Sequence, residues 1–532
     1  MECGGSLASG EGDAVMRILM LGWEYPPHIS GGLGTACEGL TRALARQGVE
    51  IDFVVPHLFG GENAPHMKLM DSTRFAPPVT AMGSSEPRYE EQYQQPVPGA
   101  HAESILEELF IPGEVSPERA AERKEKAAAA LGGEKGLIRT IRIPSYLSPY
   151  MKGLPTRKVK KKRTLPGGTT VEEEIEEFDL ETGQSQTQGI ILRTLKHAED
   201  LLPAGIRALL PHSLSDDSQG GHYTGDLFSE VGQFTARVLA LAKERKYDMI
   251  HAHDWMTFPA GVALKALTGL PLVIHVHSLE YDRSGENGNR QIEEVEKIGL
   301  DGADTVIAVS HYTRGLINQR HGTSLDKIAV VHNGVYSKGA IDQYRQERNW
   351  PSKIVLFLGR VTFQKGPDYF VDAAARVIPH IPDVLFVMAG SGDMLPKMVE
   401  RVNELGIGSN FLFTGFLKGQ EVEKMFSMAD LYVMPSVSEP FGISALEAIS
   451  FNAPVIISRQ SGVSEVLSHA LKVNFWDVEQ LANLVISVLK YPELRQDISV
   501  MAGEEVRRLR WDASAVKTAA IYSKTLARFA RR

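Results

Sequence analysis

Short apolar, β-branched runs alternate with amphipathic stretches along most of this chain. The first run is Arg17-Ile-Leu-Met-Leu-Gly22, followed by a loop from Trp23 to Gly32. The stretch from about Gly34 to Gln47 has Leu40 and Leu44 one helical turn apart, and Gly48 stands where a C-terminal cap belongs. Ile51 to Val55 is again strand-like. Strand, helix and strand in that order predict the opening of a doubly wound α/β sheet.

From about Phe59 to Gly225 the alternation breaks into Gly, Pro and charge. Arg157 to Arg163 is basic at six of seven positions, Glu172 to Asp179 is mostly acidic, and Leu165-Pro-Gly-Gly-Thr169 lies between them. This predicts a hairpin-like flap with a basic arm beside an acidic one, either a solvated insertion or a lid or acceptor-binding arm.

Regular patterning resumes at Asp226, where Leu227, Val231, Phe234, Val238 and Leu241 keep helical spacing. Strands are then predicted at Met249–His253, Leu272–His277, Thr305–Val309 and in Lys327–His332, with a helix near Gln291–Gly299. Tyr336 to Pro351 is polar and reads as an interdomain linker. A second strand series follows at Lys353–Leu358, Val384–Met388, Asn410–Phe413, Leu431–Met434 and Pro454–Ile457. Continuous β-branched strands suit parallel sheets covered on both faces. The predicted class is therefore α/β with two Rossmann-like lobes: an N-terminal domain over 16–338 carrying the insertion at about 59–225, and a C-terminal domain over 339–511. A last helix over 512–532 fits either lobe.

Composition narrows the classes. A chain of 532 residues exceeds one ordinary domain, and 43% hydrophobic with 23% charged residues is that of a soluble globular protein. The net charge of −9 disfavours a broad nucleic-acid footprint. Only Cys3 and Cys37 are present, which points to a reducing cytoplasm. No run of about 18 apolar residues predicts a membrane span. The first fifteen residues hold Glu2, Glu11 and Asp13 and no basic residue, the reverse of a signal peptide, and read as a disordered leader.

The chemistry gathers at strand ends of the second series. Glu439 lies on a Pro/Gly turn after the strand Leu431–Met434, and Glu447 in the helix that follows. Helix N-termini attract phosphate, and carboxylates accept hydrogen bonds from sugar hydroxyls, so a nucleotide sugar suits the pair. Strand 353–358 ends in Gly359-Arg360, with Lys365-Gly366 five residues on. Arg offers a fork and Lys a point charge to a diphosphate. Each residue alone reads equally as a solvated charge or a helix-end carboxylate; their joint placement on one predicted sheet favours the site. In the first lobe, His275 and His277 share a strand face, and His251 and His253 repeat the geometry. They read as a polar, substrate-facing cluster or as satisfied structural histidines, with His277 the preferred functional member. No common zinc spacing and no metal-binding Asp-x-Asp is found, so no metal is expected. Gly31-Gly-Leu-Gly34 resembles half of a dinucleotide fingerprint, with Cys37 at the third Gly position. With Asp52, it is the basis of a minor alternative, a nicotinamide-dependent oxidoreductase.

Gly359-Arg360 with Lys365-Gly366, His332-Asn-Gly-Val335, and Ser438-Glu-Pro-Phe-Gly-Ile-Ser-Ala-Leu-Glu447 resemble the donor-site motifs of family 4 of the retaining GT-B glycosyltransferases, over about residues 301 to 480. Trp23-Glu-Tyr-Pro-Pro27, Gly31-Gly-Leu-Gly34, His251-Ala-His-Asp-Trp255 and Ile274-His-Val-His-Ser-Leu-Glu-Tyr281 resemble glycogen and starch synthases. The resemblance implies two lobes facing a cleft, with the donor on the C-terminal lobe, the acceptor on the N-terminal lobe, and a final helix that often crosses back. It implies that Arg360 and Lys365 bind the diphosphate, Glu439 the sugar hydroxyls and Glu447 the ribose. Phe441, Gly442, Ile443 and Ser444 would offer backbone N–H groups, and His277 would sit at the reacting centre. Gly32 and Gly34 would let the first-lobe loop close on the donor. The implied reaction retains the anomeric configuration, with the leaving phosphate taking the acceptor's proton and no metal or cofactor. The implied donor is a nucleoside diphosphate sugar, with UDP- or ADP-glucose the first choice. The acceptor is a saccharide: an α-glucan, or alternatively a small sugar, sugar phosphate or lipid-linked glycan. A catalytically silent sugar- or nucleotide-binding protein is the remaining reading. One departure stands out: starch and bacterial glycogen synthases carry Lys-Thr-Gly-Gly-Leu where this chain has Ile29-Ser-Gly-Gly-Leu33.

Overall fold

The computed structural model describes residues 15–27, 32–58, 62–72, 156–164, 170–178, 225–241, 247–336 and 353–531. Its first sheet is built from β1 (Arg17–Leu21), β2 (Glu50–Val55), β3 (Lys68–Asp71), β6 (Met249–His253), β7 (Leu272–Val276), β8 (Thr305–Ala308) and β9 (Ile328–Val330), while β4 (Thr156–Thr164) and β5 (Thr170–Phe178) pair only with each other. The sheet runs β3-β2-β1-β6-β7-β8-β9, parallel throughout. The second sheet holds β10 (Ile354–Leu358), β11 (Leu385–Ala389), β12 (Phe411–Gly415), β13 (Leu431–Met434), β14 (Val455–Ser458) and β15 (Leu471–Val473), in the order β12-β11-β10-β13-β14-β15. Both orders reverse their winding once, between β1 and β6 and between β10 and β13. Ligands in open α/β sheets bind beyond the carboxyl ends of strands at such reversals.

Side chains alternate across each strand. Ile18 and Met20 enter one core of the first lobe, and Leu19 and Leu21 enter the other. Leu431 and Val433 divide from Tyr432 and Met434 in the same way in the second lobe. Each such side chain, once removed from water, stabilises the fold by roughly 1.5–3 kcal/mol. The covering helices of the first lobe are α1 (Gly32–Arg46), α2 (Gly225–Leu241), α3 (Phe258–Thr268), α4 (Glu280–Ser284), α5 (Arg290–Gly302) and α6 (His311–His321). Those of the second are α7 (Pro367–Val377), α8 (Leu395–Glu404), α9 (Gln420–Met428), α10 (Ile443–Ser450), α11 (Val478–Lys490) and α12 (Pro492–Val506).

The last helix, α13 (Trp511–Phe529), lies on the first lobe. Its Trp511 covers Gly39 of α1 so closely that a Cβ there would stand 2.1 Å from the indole. Arg46 and Asp512 pair at 2.6 Å, Thr305 and Thr525 share a 2.8 Å hydrogen bond, and the Tyr522 hydroxyl reaches His251 Nδ1 at 2.6 Å. The chain thus enters the second lobe once and returns. Among the described residues, no helix is long and apolar enough to cross a membrane.

Two strands depart from the sequence reading. β3 falls inside the segment expected to lack regular structure; Lys68-Leu-Met-Asp71 is an edge strand with one buried side chain, Met70, so its pattern is mostly polar. β15 is a three-residue edge strand, too short to leave a periodic signal. β4 and β5 form an antiparallel hairpin whose register sets Lys158 opposite Glu176, Lys160 opposite Glu174 and Lys162 opposite Glu172. The leader, most of the 59–225 segment and the linker beyond Tyr336 lie outside the described residues.

Candidate active site

The site is assembled where β10 and β13 end. Gly359 and Gly390 have φ of 154° and 144°, and a Cβ on Gly390 would lie 1.8 Å from the Gly359 carbonyl oxygen. Only glycine permits that approach of two strand ends. Arg360, next in the chain, is exposed. The turn Phe363–Lys365 closes on Gly366 at φ 62°, where a Cβ would meet the Pro435 carbonyl oxygen at 2.2 Å. Val437 N donates to Gln364 O at 2.9 Å, so this turn is fastened to the loop after β13.

That fastening brings Lys365 Nζ to 2.6 Å from Glu439 Oε2, and Ser436 Oγ donates to the same oxygen at 3.1 Å. Glu439 is buried, and its backbone is bound on both sides: its N–H to Gln460 O and its carbonyl to Gly462 N, each at 2.9 Å. α10 then starts at Gly442, φ 109°. The N–H groups of Ile443 and Ser444 lie in its first turn, where no helical acceptor exists. Ser444 Oγ lies 2.9 Å from the Tyr432 hydroxyl, and Glu447 is half-buried one turn further on. Phe441 is mainly a core residue; its ring is buried and its carbonyl accepts from Val463 N at 2.7 Å.

In the first lobe, β6 ends in His253-Asp254. Asp254 takes the left-handed conformation, φ 60°, and its Oδ1 accepts from His277 N at 2.7 Å and Ser278 N at 3.2 Å. It thereby fixes the backbone that carries His277. Burial pushes the Asp254 carboxyl up to about 6, against the pull of Arg283 and the two N–H donors. The substrate-facing histidine cluster needs correction. His251, His253 and His275 are fully buried and only His277 is half-exposed, because the first three rings pack on one another, with Tyr522 of α13 over His251 and Phe53 beside His253. Their structural pairing is partial: His251 and His253 each use Nδ1, while His251 Nε2, His253 Nε2 and both ring nitrogens of His275 have no hydrogen-bond partner among the described residues. Burial holds His251 and His277 down at about 3, and His253 and His275 well below the usual imidazole value.

Gly34 is buried, and its N–H donates to Glu24 Oε1 at 3.0 Å, which closes the first turn of α1. Gly32 is exposed, with open space around it. Asp52 lies inside β2, where its Oδ2 accepts from the Tyr247 hydroxyl at 2.9 Å; it is no free ribose ligand.

The loop carrying Glu439 also touches the first lobe. Ser438 Oγ donates to Asp282 Oδ1 at 2.5 Å and lies 2.9 Å from the Tyr312 hydroxyl. Ser310 Oγ donates to Pro440 O at 2.7 Å. Glu465 accepts from His311 N at 2.9 Å and Tyr312 N at 2.6 Å, and pairs with His332 Nε2 at 3.1 Å. Burial works against that carboxylate, yet these donors hold it below the usual range. Both chain neighbours of Glu439 are thus pinned by the opposite lobe. From the sequence Asp254 stands out only beside the four histidines, as a member of a candidate metal set; Glu24 stands inside the motif Trp23–Pro27, and nothing marks Asp282 or Glu465.

Among the described residues, three side-chain groups, Cys37/His253/His277, His251/His253/His275 and His311/His332/Glu465, keep one ligand atom each within 4.8 Å of the others. In the second group His275 stacks on His251 at 6° and on His253 at 28°, so their in-plane lone pairs do not converge on one point.

Three family models match in succession: Starch synthase catalytic domain over 17–101, Glycosyltransferase Family 4 over 221–337, and Glycosyl transferases group 1 over 340–504. An uncharacterised glycosyltransferase of Methanocaldococcus jannaschii is 31% identical over 299 residues, 52% of this chain and 75% of that protein. The chain belongs to the glycosyltransferases. A D-inositol 3-phosphate glycosyltransferase of Catenulispora acidiphila is 28% identical over 351 residues, 60% of this chain and 82% of that one. The solved sucrose-phosphate synthase of Thermosynechococcus elongatus superposes with a TM-score of 0.56 at 19% identity, covering 96% of this chain and 99% of that one, which is a likeness of fold. Two parallel α/β lobes with a returning C-terminal helix make this glycosyltransferase a GT-B protein.

Proposed function

We propose that this glycosyltransferase moves glucose from a nucleoside diphosphate sugar to a saccharide acceptor, with retention of configuration and without a divalent metal. The observation that carries the reading is the Lys365–Glu439 pair at the reversal of the second sheet, beside Arg360 and the start of α10. Arg360, Lys365 and the first-turn N–H groups of α10 supply the positive electrostatics that a departing diphosphate needs. Glu439 and Glu447 supply acceptors for hydroxyls of the sugar and the ribose. His277, five residues before the Asp282 that binds Ser438, is the first-lobe side chain assigned to the reacting centre.

An α-glucan is the first acceptor choice, supported by the starch synthase match over 17–101. A small phosphorylated acceptor is the second reading. It is favoured by the inositol-phosphate relative and by the absence of a Lys from Ile29-Ser-Gly-Gly-Leu33. The cysteine usage supports a reducing cytoplasm as the compartment of the reaction.

A thermal-shift screen with UDP, ADP, GDP and their glucose conjugates tests the donor side, because a ligand that binds only the native state stabilises it. Selective stabilisation by one series names the base. No response to any of them would sink the proposal. Product analysis with glycogen and with sugar phosphates as acceptors then separates the two acceptor readings.

A further inference from the structure

The His277 ring stacks on His275 and His253, and among the described residues one of its nitrogens makes a hydrogen bond. Its Nε2 lies 3.0 Å from Nδ1 of His253. His277 itself is half-buried, and its Nδ1 is not among the buried partnerless nitrogens; His253 is fully buried, and its Nε2 is among them. Burial keeps both rings neutral at neutral pH, so each carries one ring proton. The 3.0 Å contact admits one proton, and there are two ways to place it.

If His277 Nε2 donates, the proton of His253 must sit on its Nε2, buried and without an acceptor. If His253 Nδ1 donates, its Nε2 is a bare lone pair, and the proton of His277 moves to the exposed Nδ1. The two arrangements leave the same buried atom without a partner, once as an N–H and once as an acceptor. Orphaned buried N–H groups are the rarer case in folded proteins. The second arrangement therefore prevails.

We propose that His253 is a positioning residue that holds His277 in the Nδ1–H tautomer, so that His277 presents a hydrogen-bond donor, and no base, to an oxygen of the bound donor sugar or diphosphate. This rests on the reading of His277 as a residue of the reacting centre. It gives the buried His253 a purpose that packing alone does not, since an apolar side chain would fill the same space without an orphaned nitrogen. It also leaves the acceptor's proton to another base, because the exposed nitrogen of His277 is already protonated.

The tautomer is read directly from ring ¹⁵N chemical shifts in the full-length protein labelled at histidine, with the His277 signals assigned by their loss in His277→Gln. The expected result is a protonated Nδ1 and an unprotonated Nε2 on His277. The reverse, or a rapidly averaged mixture, overturns the proposal whether or not any variant folds. Two variants test the consequence. The amide N–H of His253→Asn can replace the Nδ1 donor, so that variant should keep the tautomer signature and most of kcat. His253→Leu should lose the signature and about a hundredfold or more in kcat with KM little changed, the size of effect seen when one donor at a reacting centre is lost. Equal kcat in the Asn and Leu variants also overturns it. Full transfer by His277→Ala refutes the placement of His277 at the reacting centre instead, and leaves the tautomer measurement standing.

Discussion

Glu439 Oε2 lies 2.6 Å from Lys365 Nζ, so the carboxylate assigned to the sugar and the cation assigned to the diphosphate are partners in the fold itself. Lys365 is a quarter exposed and Glu439 nearly buried, with side-chain accessibilities of 25% and 8%. A donor must compete for both ends of this pair, and the two ends should fail differently when removed. Glu439→Ala is expected to cost transfer about a hundredfold or more. Nucleotide affinity should hold or tighten slightly, because Lys365 is released to the phosphate. Steady-state kinetics beside calorimetric titration of the nucleoside diphosphate would show it. Turnover near wild type would remove Glu439 from the sugar side.

Arg360 and Lys365 should separate by stability. A charge-assisted hydrogen bond to phosphate contributes about 1.5–3 kcal/mol, which is about ten- to a hundredfold in affinity. Arg360→Ala and Lys365→Ala should each weaken diphosphate binding by that factor and leave the bare nucleoside unaffected. Arg360 is exposed, so its loss should not move the melting temperature. Lys365→Ala leaves Glu439 buried without its cation and should lower it. Equal melting temperatures for the two variants would contradict the buried pairing.

The buried histidines predict acid sensitivity. His251 and His277 are held down at about 3, and His253 and His275 well below the ordinary value, by burial. The unfolded chain protonates them below about pH 6.5, while the folded one does not. Stability then falls on acidification by about 1.4 kcal/mol per pH unit for each. Asp254 and Asp282, pushed up to about 6 by burial, act the other way, since the fold takes up their protons before the unfolded chain does. These four histidines, with His57 and His66 also lowered by burial, outnumber Asp254, Asp282 and the likewise raised Glu296 and Asp368, which leaves a net loss between about pH 6.5 and 5. His275→Phe gives up no hydrogen bond, because neither ring nitrogen has a partner among the described residues. It should keep or raise the melting temperature at neutral pH and flatten the decline below it. An unchanged slope would mean that His275 protonates in the folded protein.

The return of the chain to the first lobe hangs on Trp511. Its indole occupies the space above Gly39, and its backbone passes 2.3 Å from where a Cβ on Gly334 would be. Gly39→Leu and Trp511→Ala should each destabilise the protein, the latter by about 3–5 kcal/mol as for other large buried aromatics. Chemical denaturation measures the loss. A stable Gly39→Leu variant would mean that α13 can leave α1 without cost.

Much of the fold was legible in the residues. Strands such as Met249–His253 and Leu431–Met434 are continuous apolar runs buried on both faces, and their pattern needs no partner to be read. β3 and β15 escaped because short edge strands bury few side chains. The residues proposed for the donor site could be picked out because charges at strand ends have few structural uses. Their pairing was not: the Lys365–Glu439 contact spans 74 residues and depends on Gly366 lying against Pro435. The histidine pattern showed a shared strand face but not its depth, since burial there comes from Tyr522, 271 residues beyond His251.

The sequence by itself determined two parallel α/β lobes and placed at their strand ends the residue types proposed to hold a diphosphate and a sugar, because periodicity and strand-end chemistry are local properties of the chain. Only the tertiary structure decided that Lys365 and Glu439 neutralise each other, that Ser438 and Pro440 are gripped by the opposite lobe, and that one histidine of four reaches the surface. Those are relations between segments far apart in the chain, and packing, not local pattern, sets which of them meet.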